Sequence, residues 1–105
     1  MTEIIRTNIG VTTYFMPTGS LSDKESLASL RAAFAECIEA DAKKVVVNME
    51  RVASLTGAVL EFLLDMQDAL GAEGGQLSIM HPNALLKDIF KITDLEKYIE
   101  VKDLP

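Results

Sequence analysis

The sequence predicts an α/β fold in which helices pack mostly on one face of a mixed, mainly parallel β-sheet, in the order β-β-α-β-α-β-α-β. Three observations support this prediction. Two segments rich in β-branched and aromatic residues open the chain and are separated by Gly10. Strand-like and helix-like segments then alternate, which implies right-handed crossovers between parallel strands. Residues 45–47 are all valine, as in a strand that is covered or flanked on both sides.

The opening segments, residues 4–9 and 11–16, are predicted to form two antiparallel strands joined by a tight turn at Gly10. Residues 17–22 contain proline, glycine and serine, and we interpret them as a loop that separates this hairpin from the first helix.

The first helix is predicted from near Asp23 to near Ala40. Ser22 and Glu25 have the spacing of a capping box, which marks a helix start. Apolar residues then recur at helical spacing and are expected to face the sheet: Leu27, Leu30, Phe34 and Ile38.

The second half of the chain repeats the alternation. Residues 58–72 are predicted to form a helix, which a glycine cluster ends before a strand at residues 76–80. A short helix from Asn83 to Lys91 and a last, edge-like strand at residues 98–101 complete one domain, residues 1–105. The inward faces of the two helices comprise Val59, Phe62, Leu63, Met66 and Leu70, and Leu86, Ile89 and Phe90.

Composition argues against several classes of function. The chain has 105 residues, 16 acidic and 10 basic, with a net charge of −6. This charge repels phosphate backbones and anionic lipids, so we expect no nucleic-acid binding. No apolar stretch reaches the roughly 18 residues of a membrane span, so we expect no direct membrane insertion. No signal peptide is recognisable, and the single cysteine, Cys37, cannot form an internal disulfide, so we expect a cytoplasmic protein.

Residue types typical of active sites are scarce. The chain has one histidine, one cysteine and no tryptophan. No carboxylate is evidently placed to orient His81, which we interpret as a turn residue, and Cys37 resembles a small core residue. The scattered carboxylates lack a histidine or thiolate at ligand spacing. We therefore predict a protein that is not an enzyme, with no metal and no cofactor.

The junction formed by residues 54–57, Ser-Leu-Thr-Gly, is the strongest indication of a functional surface. It follows an apolar strand and opens an apolar helix, so hydroxyl groups and unpaired backbone N–H groups are expected together. Two interpretations stay open. Ser54 or Thr56 only caps the helix, or it caps the helix and also belongs to an interaction site, where a phosphate's charge is favourable.

The order of short motifs resembles that of STAS domains, a family of anti-sigma factor antagonists that also includes transporter-associated domains. The segments that resemble the family's motifs are Gly19-Ser20-Leu21-Ser22, Val45-Val46-Val47-Asn48, Val52, Gly57-Ala58-Val59-Leu60, Gly74-Gly75-Gln76-Leu77 and Ile92-Thr93-Asp94-Leu95. The resemblance covers nearly the whole chain and implies a SpoIIAA-like fold and a role in partner switching during transcription regulation.

The chain departs from the family pattern at the phosphorylation site. In phosphorylatable members a serine at the start of the second helix receives phosphate from a partner kinase that is also the anti-sigma factor. Aligning Gly57 places Leu55 at the phosphoacceptor-equivalent position, Ser54 at a family aspartate and Thr56 at the second hydroxyl. Leu55 has no oxygen to phosphorylate, so the usual phosphoserine switch is not expected.

We therefore predict an interaction module for signal transduction. Its protein partner is expected to be an anti-sigma factor resembling a serine kinase, or a transporter component. The predicted partner-binding residues are Ser20, Leu21, Ser22, Ser54, Leu55, Thr56, Gly57, Ala58, Leu60 and Leu64. For Leu60 and Leu64, packing against neighbouring helices is an equally good explanation. The chain ends soon after its last predicted strand, where many family members continue into a helix. We expect an apolar surface to be left uncovered there, so the chain is also expected to be able to form a homodimer.

Two alternatives stay open. In the first, Ser54 or Thr56 is phosphorylated and the protein is a regulated antagonist. In the second, the protein senses a small molecule or lipid in a pocket between helices and sheet, lined by Met66, Phe90 and Met80.

Overall fold

The computed structural model describes residues 3–21 and 24–102, and its main sheet has five strands in the order β1-β2-β4-β6-β7. A separate parallel ribbon pairs β3 with β5. Numbered along the chain, the strands are β1 (Ile4–Ile9), β2 (Thr12–Pro17), β3 (Gly19–Leu21), β4 (Lys44–Asn48), β5 (Val52–Leu55), β6 (Gln76–Met80) and β7 (Glu100–Lys102).

The sheet confirms the predicted topology. β1 and β2 form an antiparallel hairpin, and the remaining neighbours in the sheet are parallel. β4 is central, between β2 and β6. The last strand lies later than the predicted residues 98–101, because residues 95–97 form a turn of 3₁₀ helix and Tyr98 is exposed beyond it.

The ribbon of β3 and β5 was not predicted. Residues 17–22 were interpreted as a loop, and residues 52–55 as part of a junction leading directly from the central strand into a helix. Both strands are too short to show a period in sequence, and they form because each supplies the other's backbone partners. The Gly19 N–H, for example, donates to the Arg51 carbonyl at 2.9 Å.

Helices α1 (Lys24–Glu39), α2 (Gly57–Ala72) and α3 (Ala84–Ile92) agree with the predicted helices. The predicted inward face of α2 is buried throughout. On α1 the prediction is wrong at its last position: Cys37 is buried, whereas Ile38 is exposed because the turn of the helix carries it away from the sheet. The proposed capping box depends on Ser22, which lies outside the described residues.

Helices cover only one face of the sheet, so the uniformly apolar central strand is not covered on both sides. The buried face is built by alternate residues on neighbouring strands: Phe15, Val45, Val47, Leu77 and Ile79. Val46 points to the opposite face and is half-buried. Over the buried face, α1 and α2 meet through an edge-to-face contact of Phe34 and Phe62, with ring centroids 6.1 Å apart.

No helix in the described part of the chain combines the length and the apolar character that crossing a bilayer requires.

Candidate functional site

The β3–β5 ribbon sets where α2 begins. Leu21 pairs with Leu55, and the Thr56 N–H donates to the Leu21 carbonyl at 3.2 Å. One residue before this pair, the Ser54 hydroxyl donates to the Ser20 hydroxyl at 3.4 Å. The two segments that resemble family motifs in sequence are therefore neighbours in space. Hydroxyl groups from both strands lie beside the first turn of α2.

The N-terminus of α2 lacks a side-chain cap. Thr56 occupies the N-cap position with extended backbone, but its side chain makes no capping hydrogen bond. Its carbonyl accepts from the N–H groups of Val59 and Leu60, both at 3.1 Å. Gly57 and Ala58 precede these donors and are exposed, and no acidic residue lies in the first turn. The positive end of the helix therefore faces solvent with backbone donors that a hydrogen-bond acceptor can reach.

Asn83 connects the ribbon to the start of α3. Its side-chain oxygen accepts from the Leu86 N–H at 2.8 Å and so caps α3. Its side-chain nitrogen donates to the carbonyls of Val52 and Ala53, both at 3.2 Å. Asn83 was predicted only as a helix start. Asparagine before a helical segment signals a cap, but only the fold shows that the same side chain fixes β5.

The exposed side of α2 is apolar near its start and acidic along its length. Leu60 and Leu64 are half-buried and pack partly against the core. Glu61, Asp65 and Asp68 are exposed on the same helix. Leu64 and Asp68 also line an open hollow of about 270 Å³ together with Tyr98. Leu60 and Leu64 therefore combine partial core packing with an accessible apolar edge.

The structure separates the predicted partner-binding residues by exposure. Ser20, Gly57 and Ala58 are exposed, and Ser54, Leu55 and Thr56 are half-buried, as are Leu60 and Leu64. Leu21 is fully buried, so its side chain belongs to the core and is not available to a partner. Ser22 lies outside the described residues.

The predicted small-molecule pocket is not formed. Met66 and Phe90 are buried in the core. Met80 follows Ile79 in a regular strand, so its side chain points to the opposite face of the sheet. Because the sheet separates Met80 from the other two, these residues do not line a common cavity.

Cys37 and His81, the two residues considered above as catalytic candidates, occupy structural positions. Cys37 is buried, and burial raises the pKa of its thiol, which disfavours the reactive thiolate. His81 has a φ of 58°, and its N–H donates to the Lys102 carbonyl at 3.1 Å. Within residues 3–21 and 24–102, no three acidic, histidine or cysteine side chains converge to hold a metal ion.

Comparison with known proteins gives a consistent picture. The family model described as "Mlab, STAS domain" matches residues 18–102. A search of curated proteins by sequence finds no significant match.

Solved structures share the fold over nearly the whole chain. A Thermotoga maritima protein described as an anti-sigma factor antagonist superposes with a TM-score of 0.89 at 16% identity, covering 96% of this chain and 86% of that one. An anti-sigma factor antagonist from Mycobacterium paratuberculosis gives 0.85 at 16% identity, with coverages of 96% and 85%. The Bacillus cell fate determinant SpoIIAA in its phosphorylated form gives 0.77 at 17% identity, with 98% and 92%.

Proposed function

The chain belongs to the STAS domain family, and from this premise we propose that it is a non-enzymatic module that regulates a protein partner by docking. The docking surface comprises the start of α2 and its exposed side, with Ser20 and Ser54 of the ribbon at its margin. The proposal leaves out Leu21, whose side chain is in the core. It places the protein in the cytoplasm, in keeping with its buried, unpaired Cys37.

The uncapped start of α2 is the observation that carries this proposal. The first N–H groups of a helix have no acceptor within the helix, and they are usually satisfied by a side-chain cap, water or a ligand. Here the N-cap side chain does not supply that acceptor. A partner that presents a carbonyl or carboxylate oxygen to Gly57 and Ala58 satisfies these donors and gains from the helix dipole.

The remainder of the surface defines the partner's chemistry. Leu60 and Leu64 offer an apolar edge of the kind found at the centre of an interface. Glu61, Asp65 and Asp68 lie around it, so a partner with lysine or arginine at matching positions is favoured over an acidic one. The partner is therefore a protein with a basic rim, an apolar contact and an oxygen acceptor. An anti-sigma factor resembling a serine kinase and a transporter component are the two classes to be tested.

Substitution of two exposed alanines at opposite ends of α2 tests the proposed contact. Ala58→Tyr places bulk over the open N–H groups, whereas Ala72→Tyr places the same bulk at the far end of the same helix. The partner is purified from cells of the source organism with the wild-type chain, and its affinity is measured by calorimetry. We expect Ala58→Tyr to weaken binding by about tenfold or more, as for a central interface position, and Ala72→Tyr to bind normally. Equal affinities for the two variants contradict the proposed surface.

A phosphorylation switch is the second candidate function, and the position of Thr56 favours it. The Thr56 side chain is half-buried and does not cap α2, whereas the Ser54 hydroxyl is paired with Ser20. A phosphate on Thr56 stabilises the helix start through its negative charge. In this candidate Thr56, and not Leu55, is the phosphoacceptor.

Incubation with ATP and the cognate kinase, followed by mass spectrometry, tests the switch. Phosphate on the wild type and the Ser54→Ala variant, lost in Thr56→Ala, assigns the site to Thr56. The reverse pattern assigns it to Ser54. Phosphate on neither residue eliminates the switch and leaves docking without phosphorylation.

A further inference from the structure

The two edges of the main sheet differ in how well they are protected from pairing with another strand. β7 has three residues, and its Glu100 and Lys102 are charged and exposed. β1 has six residues, of which all but Ile4 are exposed, and it contains no lysine, proline or acidic residue. Short length and charge are the usual protection of an edge strand. The β1 edge is twice as long, and its single charge, on Arg6, is paired with Glu36 on α1.

The hairpin register identifies which backbone groups of β1 are free. The Thr18 N–H donates to the Glu3 carbonyl at 2.9 Å, and the pairing from Ile4 to Ile9 is regular. Antiparallel strands alternate between residues that bond to the partner strand and residues whose N–H and C=O point away. Residues 5, 7 and 9 therefore bond to β2. Ile4, Arg6 and Asn8 direct their N–H and C=O groups to the open edge.

β1 is complementary to a second copy of itself. When two copies pair antiparallel with Thr7 on the twofold axis, Arg6 faces Asn8 of the second copy. The two symmetry-related Arg6–Asn8 pairs then supply about four backbone hydrogen bonds. On the open face of the sheet, Ile5 meets Ile9 of the second copy. These side chains are 44% and 63% exposed, which is high for isoleucine.

Charge favours this register over the one centred on Arg6. Moving the axis to Arg6 preserves the backbone pairing but places two guanidinium groups opposite each other, which is unfavourable. With Thr7 on the axis, each Arg6 faces a neutral amide and keeps its ion pair with Glu36, 3.1 Å away on α1. The register centred on Thr7 avoids this repulsion and also pairs the exposed isoleucines, whereas an axis on Asn8 places Ile9 opposite Thr7.

The helix side of this edge leaves room for a second copy. A stable interface buries about 800 Å² on each partner, so α1 must contribute beside the paired strands. The hollow between β1 and α1 has a volume of about 330 Å³ and is lined in part by small side chains, Ser29, Ala32 and Ala33. Ala28, Ala32 and Ala35 are exposed on α1. Small side chains permit a second α1 to approach closely across the axis.

We propose that the chain forms a twofold dimer through antiparallel pairing of β1 with β1 of a second copy, so that the five strands of each copy join in one sheet. Because α2 packs on β6, three strands away from β1, the dimer leaves the start of α2 open in both copies. It therefore presents two docking surfaces. The dimer does not depend on the docking proposal and is measured without any partner.

Sedimentation and amide exchange test the dimer directly. In a concentration series up to about 100 µM, the wild type is expected to shift from one chain mass to two. With that shift, the amides of Arg6 and Asn8 become protected from exchange, whereas those of Thr7 and Ile9 are protected at every concentration. Ile9→Lys is expected to raise the dimer dissociation constant by about tenfold, because it removes both isoleucine pairs. The matched control is Ile92→Lys on α3, where the isoleucine is 82% exposed, and it is expected to dimerise normally.

Both substitutions are at exposed positions, and circular dichroism verifies that the variants fold. A wild type that stays monomeric throughout the series overturns the proposal. So does a dimer that Ile9→Lys leaves intact, or one that forms while the Arg6 and Asn8 amides continue to exchange freely. The exchange measurement uses only the wild type, so it decides the question even if a variant fails to fold.

Discussion

The starts of α2 and α3 both adjoin β5 and are built in opposite ways. At α3, the Asn83 side chain caps the helix and also donates to two carbonyls of β5. At α2, the Thr56 side chain does not cap, and the first two helical residues, Gly57 and Ala58, are exposed. One helix start is closed by the protein's own side chain, and the other is open to an acceptor from outside.

In our proposal the capped start of α3 has a structural role, whereas the uncapped start of α2 binds a partner. The capped start of α3 holds β5, and β5 in turn positions the uncapped start of α2, so a fixed strand supports an accessible helix start. Substitutions at the two helix starts test this difference, because we expect a loss of stability at the start of α3 and a loss of partner binding at the start of α2.

The largest loss of stability is expected for Asn83→Ala. It removes a cap, which alone is worth about 0.5 to 2 kcal/mol, and leaves the Val52 and Ala53 carbonyls without their donor, so we expect about 2 kcal/mol in total. Urea unfolding measures this loss. Asn83→Asp keeps the capping oxygen but not the donor, so it is expected to cost less. Equal costs for the two variants mean that the cap contributes nothing.

Leu60→Asp is expected to lower both the stability of the fold and the affinity for the partner. Leu60 is half-buried and packs against the core, so a charge there costs about 1 kcal/mol, less than at a fully buried leucine. Its accessible edge belongs to the proposed surface, so partner binding is expected to fall further than stability does. Thermal unfolding and affinity are measured on the same preparation. An unfolded variant assigns Leu60 to the core, and a folded variant with normal affinity removes it from the docking surface.

Thr56→Ala is expected to cost less than about 0.5 kcal/mol in unfolding free energy, below the usual range for loss of an N-cap, since its side chain does not cap. The contrast with Asn83→Ala is then direct, because both positions are N-caps. A loss of about 2 kcal/mol for Thr56→Ala, as for a working cap, shows that the two helix starts are alike.

Gly57→Ala is expected to change stability in the opposite direction, because it adds a methyl group where no atom lies within 4 Å. Reduced freedom of the unfolded chain stabilises the protein by about 0.4 to 1 kcal/mol. Gly75→Ala is the control, because a Cβ there lies 2.5 Å from the Lys43 carbonyl oxygen and destabilises the fold. A destabilised Gly57→Ala shows that the start of α2 is more enclosed than described.

The regular helices and strands of the main sheet were predictable from sequence, whereas the β3–β5 ribbon that positions the site was not. The apolar run of residues 45–47 and the helical stripe of α2 are visible in sequence, because Val45, Val47 and the residues of the stripe are buried in the core. β3 and β5 are three and four residues long, and they form only because the fold brings them together. The burial of Leu21 and the second role of Asn83 follow from that ribbon. Sequence therefore indicated the junction at residues 54–57 without showing what holds it or which of its neighbours are accessible.

The central claim, that the start of α2 contacts a partner and the start of α3 does not, is tested most directly by photo-crosslinking. A photoreactive phenylalanine analogue replaces either Ala58 or Ala84, which are both exposed alanines in the first turn of their helices. The two variants are expressed and irradiated in cells of the source organism. We expect a covalent complex with a second protein from position 58 and none from position 84. A complex that forms equally from both positions, or only from position 84, contradicts the account.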